Sequence, residues 1–172
     1  LMNDSLSKIL IIGSGQIGSR HLQSLSKLNR RVNISVIDKN PNSIKSAKAI
    51  FNEMSINKDL VSVNYYDSMN LLNREYDIAI IATGADVRKE VIKETIKRAK
   101  IKYFILEKIV CQSIKDFKEI LELLKKGNIK AWVNCNRRLY PLYKSIKEKI
   151  SKESPINIYI DGDNWDLACN CI

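Results

Sequence analysis

The run Gly13-Ser14-Gly15-Gln16-Ile17-Gly18 sits between an apolar stretch and a segment of helical periodicity. Glycines at this spacing serve one purpose well, which is to bring main-chain N–H groups close to an anion. Gly13 permits a tight turn out of a strand, and Gly15 places no side chain between the backbone and a pyrophosphate. Gly18 lets the following helix pack closely on the sheet. Ser14, Gln16 and Ile17 complete the loop and the first helical turn, whose N–H groups and partial positive charge would face the phosphates. A carboxylate, Asp38, ends the next predicted strand. There it can accept both ribose hydroxyls of NAD and would repel the 2′-phosphate of NADP. Lys39 beside it could instead pair with that phosphate, so NAD is expected ahead of NADP. His21 lies beyond the loop and is expected to be a packed or hydrogen-bonded helix residue, away from the nicotinamide.

Lys108 is the candidate for proton chemistry. It directly follows a predicted strand, and ligands of open α/β sheets bind beyond the carboxyl ends of strands. A lysine partly desolvated there, near a cationic nicotinamide, is suited to general-base work. A solvated lysine in a lysine-rich chain is the competing reading of the residue alone. Cys111, Cys135, Cys169 and Cys171 follow neither disulfide nor zinc spacing. Ordinary reduced thiols and no metal are therefore expected.

These residues need a sheet to bring them together. Apolar, β-prone runs predict strands over 8–12, 33–38, 61–65, 77–82, 103–106 and 131–135. Between them run helices with Ile17, Leu22 and Leu25 on one face, then Ile44, Ala47 and Phe51, then Val91, Ile92 and Ile96, then Phe117, Ile120 and Leu124. Asn40, Asp86 and Ser113 are the expected caps. Gly127 is expected to stop the fourth helix in a left-handed conformation. Alternating strands and helices with long connections predict a doubly wound parallel sheet of Rossmann type. After Pro141 the pattern changes to a basic amphipathic helix and an alternating strand over 156–160. The expected division is a dinucleotide-binding domain over 1–137 and the unfinished start of an α+β domain over 138–172, with a mainly antiparallel sheet.

Composition excludes several classes. The chain has 172 residues, 45% hydrophobic, too apolar for a disordered segment. No stretch approaches the roughly 20 apolar residues of a membrane-spanning helix, and the first residues lack a signal-peptide layout. A soluble, cytoplasmic protein is expected. The excess of 29 Lys+Arg over 19 Asp+Glu gives +10, but no Arg-rich run interleaved with aromatics supports a nucleic-acid partner.

Four segments in order resemble the Gfo/Idh/MocA oxidoreductases. Gly18-Ser19-Arg20-His21-Leu22 is similar to that family's first helix, and Ala82-Thr83-Gly84-Ala85 to the segment after its fourth strand. Glu107-Lys108-Ile109 resembles its Glu-Lys-Pro motif. Asn136-Arg137-Arg138-Leu139-Tyr140-Pro141 resembles its Asn-x-Arg-Phe-x-Pro segment. The resemblance implies an NAD(P)-dependent oxidoreductase. Hydride would move between nicotinamide and a hydroxyl or keto carbon of a sugar, cyclitol or nucleotide sugar, in surface-glycan synthesis among other settings. Lys108 would contact the hydroxyl that loses its proton. Glu107 would orient Lys108 or touch the nicotinamide ribose, Ala82 and Thr83 would touch the cofactor, and Asn136 would reach its nicotinamide end. The resemblance also implies a homo-oligomer for the full-length protein. Ile109 replaces the motif's proline, and Arg88 stands where many members have a histidine. A dinucleotide-binding module that senses redox state without chemistry is the alternative.

Overall fold

The computed structural model describes residues 6–54, 61–72, 75–150, 157 and 159. The chain divides into two compact units, Leu1–Cys135 and Asn136–Ile172. In the first, β1 (Ser7–Ile12), β2 (Val32–Ile37), β3 (Val61–Tyr66), β4 (Glu75–Ile81), β5 (Lys100–Leu106) and β6 (Lys130–Val133) form one sheet. Their order is β3-β2-β1-β4-β5-β6, and every neighbouring pair is parallel. The order reverses between β1 and β4. Loops leaving those two strands therefore run to opposite sides and open a crevice at their carboxyl ends.

Both faces of the sheet are covered, which is why its strands read as continuous apolar runs. Successive residues of β1 point to opposite faces. Ile9 and Ile11 pack with Leu22 of α1 (Gln16–Leu25) and with Ala47 and Phe51 of α2 (Pro41–Asn52). Leu10 and Ile12 face Ile92 of α3 (Arg88–Arg98) and Ile120 and Leu124 of α4 (Ile114–Lys126). Lys89 joins the last two helices through ion pairs with Asp116 and Glu119.

Local chemistry sets the helix ends. Asn40 accepts a hydrogen bond from the Asn42 N–H at 2.9 Å, with Pro41 in the first turn. Ser113 accepts from the Asp116 N–H at 3.0 Å. Two expectations need correction. Gly127 has φ −81°, and the left-handed residue is Asn128, at φ 48°. The N–H groups of Asn128 and Ile129 close on the carbonyls of Lys125 and Leu124, a Schellman cap with asparagine in the left-handed position. A Cβ at Gly127 would lie 2.9 Å from Ile129 Cδ1, the far end of a side chain that can turn aside, so neither the backbone nor the packing demands glycine there. Asp86 does not cap α3. Residues 85–87 turn directly into the helix, Val87 takes the capping position, and Asp86 lies one residue too early.

The second unit contains a 3-10 turn, Asn136–Leu139, and helix α5, Pro141–Lys149. Of the strand expected over 156–160, only Asn157 and Tyr159 are among the described residues. Trp165, Cys169 and Cys171 lie outside them. No helix among the described residues is long and apolar enough to cross a membrane.

Candidate functional site

The glycine loop joins β1 to α1 at the crevice. Gly13 has φ +94°, a conformation that strains any residue with a Cβ, and its N–H donates to Ile37 O at 2.8 Å. A Cβ at Gly13 would also lie 2.9 Å from the Ala82 carbonyl carbon. At Gly18 it would fall 1.8 Å from Gly13 O, so the helix could not approach the loop. Gly15 differs, because a Cβ there would meet no protein atom within 4 Å. Its bareness serves nothing in the protein's own packing. It leaves backbone open toward the space where a ligand would sit. No side chain caps α1, and no acidic residue stands in its first turn. Its N-terminal charge is thus left for an anion.

Asp38 braces this loop. Its Oδ2 accepts from the Ser14 N–H at 2.6 Å and from Ser14 Oγ at 3.1 Å, and its Oδ1 accepts from the Asn40 N–H at 2.9 Å. An ionised carboxylate offers about four lone-pair positions, so three internal bonds leave little room for two ribose hydroxyls. Ser19 Oγ closes the other side of the loop by donating to Ser14 O at 2.9 Å.

A cleft of about 930 Å³ opens here, and its lining includes Gly13, Gly15, Asp38, Lys39, Ala82 and Thr83. That volume suits a dinucleotide-sized ligand. Ser14 and Gln16 line a second, polar cleft of about 420 Å³ beside α1 and α2. Ile17 is exposed on α1, and Gly18 is buried against the loop. Neither lines the larger cleft. Asn136 belongs to the second unit. The bare Gly15, the uncapped helix and the adjoining cleft fit a dinucleotide's phosphates. Among the described residues no group of His, Cys, Asp and Glu could hold a metal.

Glu107 and Lys108 follow β5 at the same edge of the sheet. Lys108 is exposed in this chain, not partly desolvated as expected, while Glu107 is buried. The Lys108–Ile109 peptide bond is cis. Glu107 Oε1 accepts from Asn134 Nδ2 at 2.6 Å and lies 2.6 Å from His21 Nε2, whose proton completes that bond. Burial pushes the Glu107 pKa up, but the bonds from His21 and Asn134 and the charges of His21 and Arg88 outweigh it. The carboxyl is held below its usual range. His21 is thus hydrogen-bonded as expected, but its partner is the carboxylate beside Lys108, so it is not remote from that part of the site.

Sequence reasoning missed Arg88 as part of this network. It is 3% exposed. Its Nη1 donates to Glu107 O at 2.7 Å, to Val110 O at 3.3 Å and to Ile109 O, and its Nη2 donates to Thr83 O. Burial pulls its pKa below the ordinary value, partly offset by Glu107, Cys111 and Asp86. The signal was present in the sequence. Arg88, Ile92 and Thr95 share the buried stripe of α3 at helical spacing, so a charge there must find partners inside.

Known proteins share this fold. A family model described as an oxidoreductase family with an NAD-binding Rossmann fold matches residues 7–135. The oxidoreductase YrbE of Bacillus subtilis is 28% identical over 137 residues, covering 80% of this chain and 38% of that protein. Among solved structures, apo scyllo-inositol dehydrogenase from Lactobacillus casei aligns with TM-score 0.66 and 19% identity, over 86% of this chain and 41% of that one. The WlbA dehydrogenase from Chromobacterium violaceum, in complex with NADH and UDP-GlcNAcA, aligns with TM-score 0.67 and 20% identity, over 86% and 41%. The chain therefore spans about two fifths of the length of these relatives. With its glycine loop, its sheet order and the matched 7–135 segment, the chain belongs to the Gfo/Idh/MocA oxidoreductase family, as an NAD-binding Rossmann domain.

Proposed function

We propose that the protein carrying this chain is an NAD-dependent dehydrogenase that oxidises a secondary hydroxyl of a sugar, cyclitol or nucleotide sugar, or reduces the matching ketone. One observation carries the reading. A phosphate-binding glycine loop braced by Asp38 and a buried Glu107 followed by Lys108 lie at the same carboxyl edge of one sheet.

Gly13, Ser14, Gly15, Gln16, Ile17 and Gly18 form the loop and helix start that hold the pyrophosphate, and Asp38 takes a hydroxyl of the adenine-side ribose. Ala82 and Thr83 flank the cofactor along the cleft. Asp38 disfavours the extra phosphate of NADP, while the exposed Lys39 tempers that preference. Bound NAD supplies the two-electron acceptor for a hydride leaving the substrate carbon. Lys108 Nζ takes the proton of the hydroxyl on that same carbon, and returns it when the ketone is reduced. Glu107 keeps the segment in place from below, through His21 and Asn134. The domain division at residues 137 and 138 and a cofactor role for Asn136 belong to the same proposal.

The substrate class draws support from the relatives. One is a scyllo-inositol dehydrogenase, and another was solved with a nucleotide-sugar acid. A role in surface-glycan synthesis and a homo-oligomeric full-length protein belong to the same proposal. The experiment is to supply the intact protein with NAD and a panel of inositols, hexoses and nucleotide sugars, and to follow NADH formation. Turnover of one class supports the reading. NADH binding with no turnover across the panel, in either direction, favours the non-catalytic module.

A further inference from the structure

We infer that Arg88 is the positioning residue for Lys108, gripping the main chain on both sides of it. The inference rests on the reading of Lys108 as proton acceptor. The segment that follows β5 has left the sheet, whose ladder ends at Leu106. Lys108 is exposed there, and Ile109 is 61% exposed. The carbonyls of Glu107, Ile109 and Val110 all accept from Arg88 Nη1, and the Thr83 carbonyl accepts from Nη2. One guanidinium therefore ties the turn after β4, which lines the cofactor cleft, to the turn after β5, which presents Lys108.

The chemistry of the side chain suits this task. A guanidinium is a planar fork of five donors with no acceptor, and it stays charged when buried. Buried charge is costly unless each donor is met. Four main-chain oxygens on two different loops meet the two terminal nitrogens of Arg88, and only its Nε is left without a partner among the described residues. A lysine offers three donors radiating from a single atom, and cannot address both loops in the same way. The arrangement of Arg88 is thus selective for arginine, and its effect falls on where Lys108 Nζ can reach.

The test compares Arg88→Gln, Arg88→Lys and Lys108→Met in the intact protein carrying this chain. The readouts are kcat, KM, the pH profile of kcat, NADH affinity by fluorescence titration, and amide hydrogen exchange across 107–111. Positioning predicts that Arg88→Gln lowers kcat by about 100-fold, because a misplaced catalytic group costs rate steeply. NADH affinity should change much less, the pH profile should shift, and residues 107–111 should exchange faster. Arg88→Lys should show the same pattern more weakly, and it decides the matter if Arg88→Gln fails to fold. If kcat and its pH profile are unchanged while Lys108→Met is inactive, the positioning role is overturned and the Lys108 reading stands. If stability and NADH affinity fall while kcat holds, Arg88 is a structural strut and the inference is again overturned. An active Lys108→Met overturns both.

Discussion

His21 Nε2 and Glu107 Oε1 are 2.6 Å apart, joining the helix that starts at the glycine loop to the segment that carries Lys108. Two parts of the site that are distant in sequence are thereby tied through one buried carboxylate. The pair has a pH signature. Folding lowers the Glu107 pKa from its ordinary 4.5, so its contribution to stability is fully present above that value. It is lost as the pH falls through the lower, folded-state value. Glu107→Gln should therefore cost about 1–3 kcal/mol at neutral pH, and the gap to wild type should shrink in acid. Urea denaturation at neutral pH and below pH 4.5 checks this, and an equal gap at both would contradict it.

Two glycines in the same loop should behave oppositely. Gly18→Ala forces a Cβ to within 1.8 Å of Gly13 O and should destabilise the domain by about 3 kcal/mol or more. Gly15→Ala places its methyl group in open space at φ −61°. It should leave the melting temperature nearly unchanged and weaken NADH binding by about tenfold or more, a loss of about 1.4 kcal/mol. Thermal melts paired with NADH titrations separate the two effects.

Asp38 has both a structural and a binding role. Asp38→Ala leaves the buried Ser14 N–H without its acceptor, which should cost about 1–3 kcal/mol of stability. The same change removes the carboxylate that disfavours a 2′-phosphate. The preference for NADH over NADPH should narrow, which parallel titrations with the two cofactors would read out.

Much of this arrangement is legible in the order of the residues. The apolar runs and their spacing reveal six parallel strands, because a sheet covered on both faces leaves little room for polar residues. The glycine loop is legible since each glycine answers a local steric demand. The rest depends on contacts between distant segments. Arg88 looks like one more cation in a basic chain until its place on the buried stripe of α3 is apparent. Asn134 gives no signal, since its role exists only where the end of β6 passes Glu107. The left-handed cap of α4 falls one residue beyond the expected glycine because asparagine also tolerates that backbone.

The most direct test is Lys108→Met in the intact protein, with kcat and the NADH dissociation constant measured on the same preparation. Lys108 is exposed beyond the end of β5 and makes no part of the glycine loop. As proton acceptor, its loss should lower kcat by about 10²- to 10⁴-fold, the usual worth of a general base, while NADH affinity stays close to wild type. Turnover that survives the substitution would contradict that role.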